Sequence, residues 1–261
     1  MKIIDKRNNK NPKVSVIMSV YNDSKFLEKS IKSILYQKFK NFEFIILNDG
    51  STDNSEKIIK KYLKKSKKIL YIYSKYNKGL TFMLNLGIKH VRANYIIRHD
   101  ADDYSLVNRI KKQYMYMEKN SDISVLGSNS KDIFNKKKNF KITSMPTKST
   151  IIEKNLIKNN CLIHASLIIR KKFLTKVGLY NTEFLRCQDY ELWLRGRNKY
   201  KYANLKDVMV VRNVNKKKFK FIDLYLTFKA RLMHSHNFKD IINTIVFTLR
   251  DLIKKILNFF I

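Results

Sequence analysis

The sequence predicts an α/β protein, a mostly parallel sheet with helices on both faces, and three observations carry that prediction. Short apolar, β-branched runs alternate with stretches whose apolar residues recur every three or four positions, giving strand, helix, strand, helix, strand, helix, strand over roughly the first hundred residues. The runs are nearly unbroken by polar residues, as strands buried within a sheet are. Three of them end in polar clusters, SVYND (19–23), NDGSTD (48–53) and HDADD (99–103). In an open parallel sheet, ligands bind in the crevice beyond the carboxyl ends of the strands, which is where these clusters would meet.

The elements follow in order. After a polar leader, KVSVIMSV (13–20) reads as the first strand. The next helix has Leu27, Ile31, Ile34 and Leu35 on one side, with Asp23 or Ser24 as its cap. FEFIIL (42–47) is the second strand; Asp53 followed by Glu56 has the form of a capping box opening a helix over 54–65. ILYIY (69–73) is a third strand, GLTFMLNLGIKH a third helix, and NYIIR (94–98) a fourth strand running into the acidic cluster. Beyond it the pattern loosens. The expected elements are a helix over 105–119, a strand at 123–130, a basic hairpin or loop in FNKKKNFKI and a strand-like CLIHASLIIR (161–170). A short helix stopped by Gly178 and an amphipathic QDYELWLRGRNKY (188–200) follow.

Composition narrows the function classes. Lys and Arg number 55 against 21 Asp and Glu, a net charge of +34, while 44% of residues are hydrophobic, a globular proportion. Such a charge suits anionic partners such as nucleotide phosphates, nucleic acid or acidic lipid, and codon drift in an A+T-rich genome would also produce it. Cys161 and Cys187 fit neither a disulfide framework nor a zinc pattern, which points to a reducing compartment. The N-terminus has no signal-peptide core, and no uncharged run reaches the about 18 residues of a membrane span. The expectation is a cytoplasmic protein, soluble or held at the inner membrane surface. The segment 240–261 places Ile242, Ile245, Leu249, Leu252, Ile256 and Phe259 at alternating steps of three and four, with Arg250, Lys254 and Lys255 largely off that stripe. Such a helix can lie in a membrane interface or dock on its own domain.

Placing Asp100, Asp102 and Asp103 within four positions of so basic a chain is costly unless a cation or hydrogen-bond network neutralises them; otherwise they form a solvated acidic turn. Here a resemblance enters. VSVIMSVYND, LEKSIKSILYQ, FEFIILNDGSTDNS, NKGL, LNLGI and HDADD, with the following RI, are similar to the N-terminal half of family 2 glycosyltransferases, which have the GT-A fold. LIHASLIIRKKFLTKVGLYN and QDYELWLR resemble their acceptor-side half, so the resemblance covers roughly residues 13–212. It implies an inverting, nucleotide-sugar-dependent transferase using Mn²⁺ or Mg²⁺. The implied organisation is a catalytic domain over 1–215, with a nucleotide-sugar half at 13–104 and an acceptor half at 105–215, then a helical tail over 216–261.

The chemistry explains the motifs. Breaking the sugar–diphosphate bond leaves negative charge on the departing nucleotide, which a divalent cation stabilises as a Lewis acid, held by one or two carboxylates. By resemblance, Asp102 is the metal ligand, and Asp100 contacts the ribose or the metal shell. Asp103 orients the loop or begins the next helix. Asp49 accepts a hydrogen bond from the nucleobase, with uracil well suited, or holds its tight turn. Ser19 and Tyr21 cradle base and ribose, and Lys78 lies on the phosphate side. Asp53 stays a helix cap. Asp189 matches the base that takes the acceptor's proton, and could also cap its helix; Gln188 stands where the family commonly has Glu. His164 recurs near the donor pocket in similar proteins, but between apolar neighbours it reads as a core side chain, as does Trp193. No Gln-x-x-Arg-Trp pattern of processive synthases occurs, so one sugar is transferred per binding event. The implied partners are a nucleotide sugar, UDP-linked by first expectation, a glycan or lipid-linked oligosaccharide acceptor, and an anionic membrane surface. Two alternatives are weaker. A nucleotide-sugar phospho- or nucleotidyltransferase would want a Gly-rich loop where SVYNDSKF has none. For a non-catalytic nucleic-acid binder, scattered lysines without a base-reading motif give no support, so nucleic acid is not an expected partner.

Overall fold

The computed structural model describes residues 1–134, 139–214 and 221–257. The lysine run of the expected basic hairpin, the 215/216 domain boundary and Phe259 lie outside the described residues, as do the side chains of Lys255 and Ile256. The first half contains β1 (Lys2–Asp5), β2 (Val14–Val20), α1 (Ser24–Leu35), β3 (Phe42–Asp49), α2 (Ser55–Lys65), β4 (Ile69–Ser74), α3 (Leu80–Lys89) and β5 (Tyr95–Arg98). Then come β6 (Tyr104–Ser105), α4 (Arg109–Lys119), β7 (Ile123–Phe134), β8 (Phe140–Ile142), α5 (Ser149–Leu156), a 3₁₀ turn at His164–Ser166, β9 (Ile168–Arg170) and α6 (Lys171–Val177). The chain continues through α7 (Gln188–Gly196), β10 (Lys201–Val214), α8 (Phe221–Met233) and α9 (Phe238–Leu257).

All the strands join one sheet in the order β1-β4-β3-β2-β5-β9-β7-β10-β6, with β8 on the side of β7. The middle of the first half is parallel throughout: β4, β3, β2 and β5 align so that Val20 faces Asn48 and Ile17 faces Arg98. The second half is mixed, with β9 antiparallel to both β5 and β7, and β10 parallel to β7. Alternation along β2 shows why both faces must be covered. Val14, Val16, Met18 and Val20 pack with Leu27, Ile31 and Ile34 of α1 and Ile59 of α2, whereas Ile17 packs with Met83, Leu84 and Ile88 of α3. Every β3 residue is buried, as a central strand between two helical layers requires.

Three expectations are corrected. The polar leader contains strand β1, antiparallel to β4 with Lys2 opposite Tyr73; at an edge, a charged four-residue strand is tolerated and carries little apolar signal. The helix expected from 105 starts at Arg109, because Tyr104 and Ser105 pair instead with Val211 and Val210 of β10. In CLIHASLIIR just Ile168–Arg170 forms a strand, and His164–Ser166 makes a tight turn. Both cysteines are free. Among the described residues no helix is long and apolar enough to cross a membrane.

Candidate active site

The first wall of the site is the turn after β2. Ser19 is half-buried near the strand end, and Tyr21 is 48% exposed at the mouth. Asn22, with φ 55° in the left-handed region, turns its amide across to the β3 turn: its Oδ1 accepts the Thr52 N–H at 2.8 Å, and its own N–H donates to Ser51 Oγ at 3.1 Å. Asp53 fastens two helices at once, accepting the N–H of Ser24 (2.9 Å) through one oxygen and that of Ser55 (2.9 Å) through the other. Burial pushes its pKa upward, but the bonds from Ser55 and Ser24 outweigh this and hold it at about 2. Asp53 is therefore a cap, but not in the expected box: Glu56 turns outward to Lys60 at 2.8 Å. Asp23 stands at the N-cap of α1 but makes no side-chain capping bond, and Asp53 accepts the Ser24 N–H.

Asp49, buried at the end of β3, accepts the backbone N–H of Lys78 at 2.7 Å through Oδ1 and that of Gly79 at 2.9 Å through Oδ2. It holds the first turn of α3, where Gly79 has φ 87°, rather than its own turn. The Asp-Gly turn has other supports. Asn48 Oδ1 accepts the Ser51 N–H at 3.0 Å, and Gly50 sits at φ 73°, where a Cβ would come within 2.8 Å of the Tyr76 carbonyl carbon. The Lys78 side chain is exposed at this rim.

Asp100, Asp102 and Asp103 occupy the loop after β5, each offering a carboxylate oxygen within 4.8 Å of the others. The loop is fixed from three directions. Arg98, buried at the end of β5, forms an ion pair with Asp100. On the β10 side, the Asn213 N–H donates to Asp103 Oδ1 at 3.0 Å, and Asn213 Nδ2 donates to the carbonyl of Asp102. Beneath, His99 meets Ser30 Oγ at 3.0 Å, while buried Arg109 donates to Ser105 Oγ at 3.0 Å and to the Arg98 carbonyl at 2.9 Å. Burial, reinforced by Asp100 and Asp102, pushes the Asp103 carboxyl up to about 8. Asp23 belongs to the same field. Burial and then the charge of Asp102 raise it to about 6, so the turn after β2 adds a fourth acid that feels the cluster's charge. The sequence signal for Asp23 was its place at a strand end within a polar cluster; its suitability as a cap concealed the role.

The opposite wall carries Asp189, in the first turn of α7. The preceding Cys187 lies in the left-handed region at φ 58°, a strained position for a side-chain-bearing residue. Asn160 Nδ2 donates to Asp189 Oδ2 at 2.9 Å, and burial raises the Asp189 pKa above its ordinary value. Arg98 links the walls electrostatically: its charge opposes the rise at Asp189 while it pairs with Asp100. Tyr180 lies between them. Burial foremost raises its phenol, which also feels Arg98, Asp189 and Asp100, and its hydroxyl meets His164 Nε2 at 2.9 Å. Helix α3 straps this wall to the first: Thr81 Oγ1 donates to the Phe184 carbonyl at 3.0 Å, and Asn85 exchanges hydrogen bonds with the Tyr180 backbone at 2.8 and 3.1 Å. Asp49 thus holds the start of the helix that Thr81 and Asn85 tie to the Tyr180–Phe184 segment. His164, half-buried and held neutral by burial, meets the Tyr180 hydroxyl, and Trp193 is fully buried in the core. Tyr180, Asn160 and Asn213 escaped the sequence reading because their partners lie tens of residues away, and Arg98, although two residues from Asp100, because its reach toward Asp189 depends on the fold.

The donor set suits a hard divalent cation. Carboxylate oxygens from Asp100, Asp102 and Asp103 converge with no His or Cys among them, and Asp23 and Asp103, raised first by burial, also feel a repulsion that a cation would relieve.

Residues 15–178 match the family described as "Glycosyl transferase family 2". An uncharacterized glycosyltransferase of Methanocaldococcus jannaschii, MJ1057, is 37% identical over 76% of this chain and 70% of its own length. The O-antigen biosynthesis glycosyltransferase WbnJ of Escherichia coli is 33% identical over 78% of this chain and 80% of its own. Among solved structures, S. aureus TarS 1-349 in complex with UDP-GlcNAc superposes with a TM-score of 0.68 at 18% identity, covering 85% of this chain and 65% of that one. The mannosyltransferase PcManGT of Pyrobaculum calidifontis, in complex with GDP-Man and Mn²⁺, gives 0.68 at 14% identity, over 94% and 71% of the two chains. At those identities the two structures establish shared architecture alone.

Proposed function

The chain belongs to glycosyl transferase family 2 and has the GT-A fold, and from that premise we propose that this glycosyltransferase moves a sugar from a UDP-linked donor to a lipid-linked glycan during surface polysaccharide synthesis. The observation that carries the reading is the pairing of two acidic walls across Arg98: a carboxylate cluster after β5 and a single aspartate at the start of α7. One wall suits the diphosphate end of a nucleotide sugar, the other its acceptor.

In this reading Tyr21 and Ser19 receive the base and ribose. Asp49 keeps the α3 turn in place and offers its remaining lone pairs to the nucleobase N–H. Lys78, exposed beside them, faces the phosphates. Asp102 and Asp100, with Asp103 beside them, would hold the divalent ion, which would supply Lewis-acid stabilisation of the departing diphosphate. Asp189 Oδ1 takes the proton of the acceptor hydroxyl as that oxygen attacks the anomeric carbon, while Asn160 fixes Oδ2. Attack from the face opposite the leaving diphosphate inverts the anomeric configuration. Partial burial keeps Asp189 more basic than an exposed aspartate, which strengthens it for this task. TarS bound to UDP-GlcNAc and WbnJ in O-antigen biosynthesis support the choice of donor and pathway class. The basic chain and its terminal amphipathic helix support a lipid-linked acceptor, because both suit an anionic membrane surface.

The test is a panel of nucleotide sugars incubated with the full chain and Mn²⁺ or Mg²⁺, read as released nucleotide. Metal-dependent release from a UDP-sugar is the expected result. Release from none of the panel, or release indifferent to chelation, contradicts the reading.

A further inference from the structure

Helix α9 is turned inside out. A surface helix ordinarily sets its apolar stripe against the protein and its polar side in water. In α9 the side facing the protein is polar. Asp240 forms a buried ion pair with Arg197 and accepts the His236 N–H at 3.1 Å. Thr244 is fully buried, and Arg231, itself buried in α8, donates to Asp251 Oδ2 at 3.0 Å and to Thr248 Oγ1 at 3.4 Å. The apolar side faces outward: Ile241, Ile242, Ile245, Val246, Leu249 and Ile253 are all exposed, Ile245 to 48% and Leu249 to 53%. Helical spacing puts Lys239, Arg250 and Lys254 together along one edge of that apolar arc. Neighbouring α8 likewise leaves Tyr225, Leu232 and Met233 exposed.

Ion pairs and threonine hydrogen bonds fix the inner side, so α9 cannot roll its isoleucines inward without breaking them. The medium that covers the outer side must be apolar and border negative charge. We propose that the outward face of α9 is a docking surface for a bilayer containing anionic lipid, with the isoleucine–leucine arc among the acyl chains and the Lys239–Lys254 edge at the headgroups. A second copy of the chain fits worse, because pairing two such faces brings together two proteins of net charge +34. The helix lies along the surface rather than through it, since it carries Lys239, Asp240, Arg250, Asp251 and Lys254 and is too polar to span. This inference rests on the proposed function only where the lipid-linked acceptor is concerned.

Flotation of the full chain with vesicles of phosphatidylcholine, with and without phosphatidylglycerol, tests the proposal. Wild type should float with the anionic vesicles, and I245E/L249E should lose about tenfold or more of the bound fraction. K239Q/K254Q and added salt should each give a smaller loss. All variants should release nucleotide from the donor sugar at the wild-type rate without vesicles, so a failure of catalysis and a failure of docking read separately. Equal flotation of wild type and I245E/L249E overturns the proposal. So does a vesicle-free dimer that I245E/L249E dissociates, which would put a second copy on the face. Should I245E/L249E lose its melting transition, I242Q/V246Q on the same arc is judged by the same outcomes.

Discussion

The two acidic walls solve opposite electrostatic problems. After β5, three aspartates each offer a carboxylate oxygen within 4.8 Å of the others; burial and then the charges of Asp100 and Asp102 raise Asp103, and burial and then Asp102 raise Asp23. At α7 a lone aspartate accepts from the Asn160 amide, and burial raises its pKa against the opposing pull of backbone N–H groups, Asn160 and Arg98. The first arrangement gathers several carboxylate oxygens, as a divalent cation requires; the second offers one carboxylate, too few for an ion and suited to accepting one proton. The same residue type thus becomes an ion ligand or a base according to how many like charges surround it. Arg98, pressed against Asp100 and felt by Asp189, keeps the walls from acting as one repulsive patch.

The comparison can be broken at either wall. Asp189→Asn should cost about two to four orders of magnitude in transfer, the range for losing a general base, while leaving donor binding intact. Its melting temperature should rise at neutral pH. The folded-state pKa of Asp189 lies above its unfolded value, so its contribution to stability is present at pH below the unfolded pKa and lost as pH rises through the folded pKa; at neutral pH the wild type carries a buried charge that the amide lacks. The gain should vanish in acid, as calorimetry across pH would show. In the same way, the acid limb of kcat/KM should sit above the ordinary aspartate range, because Asp189 must be ionised to act; a limb at or below that range would deny it the role.

Smaller effects sharpen the comparison. Asp49→Asn replaces an acceptor of two backbone N–H groups by an amide that can accept from one, loosening the Lys78–Gly79 turn, and should weaken nucleotide binding about tenfold. Binding titrations with and without metal would measure it. Asp23→Asn removes one like charge from the crowded wall. It should raise the metal-free melting temperature by a few degrees, the scale of about 1 kcal/mol, and lower cation affinity a few-fold. An unchanged melting temperature would place Asp23 outside the cluster's field.

How far these walls were legible from sequence follows the range of the interactions. The parallel half announces itself because local signals agree: β-branched runs, helical spacing and polar strand ends each restate the same element. Asp100, Asp102 and Asp49 stood at those ends, and the structure puts them at one edge of the sheet. Asp103 was left between orienting the loop and starting a helix, and its bond to Asn213, 110 residues on, favours the former. Strand β1 went unseen because an edge strand borrows its stability from β4. Asp53 looked like half of a capping box, but a cap shared between α1 and α2 depends on two turns meeting in space. The apolar stripe of the terminal helix was visible, whereas its outward direction depends on buried Arg231 and Arg197, which no local pattern reveals.

The central claim is the division of labour between the walls, and calorimetric titration of UDP with Mn²⁺ into wild type, Asp102→Asn and Asp189→Asn tests it most directly. Asp189→Asn should bind UDP as tightly as wild type and keep the metal requirement, and Asp102→Asn should lose that requirement together with the tight binding. Metal-dependent binding that survives in Asp102→Asn, or disappears in Asp189→Asn, would contradict the account.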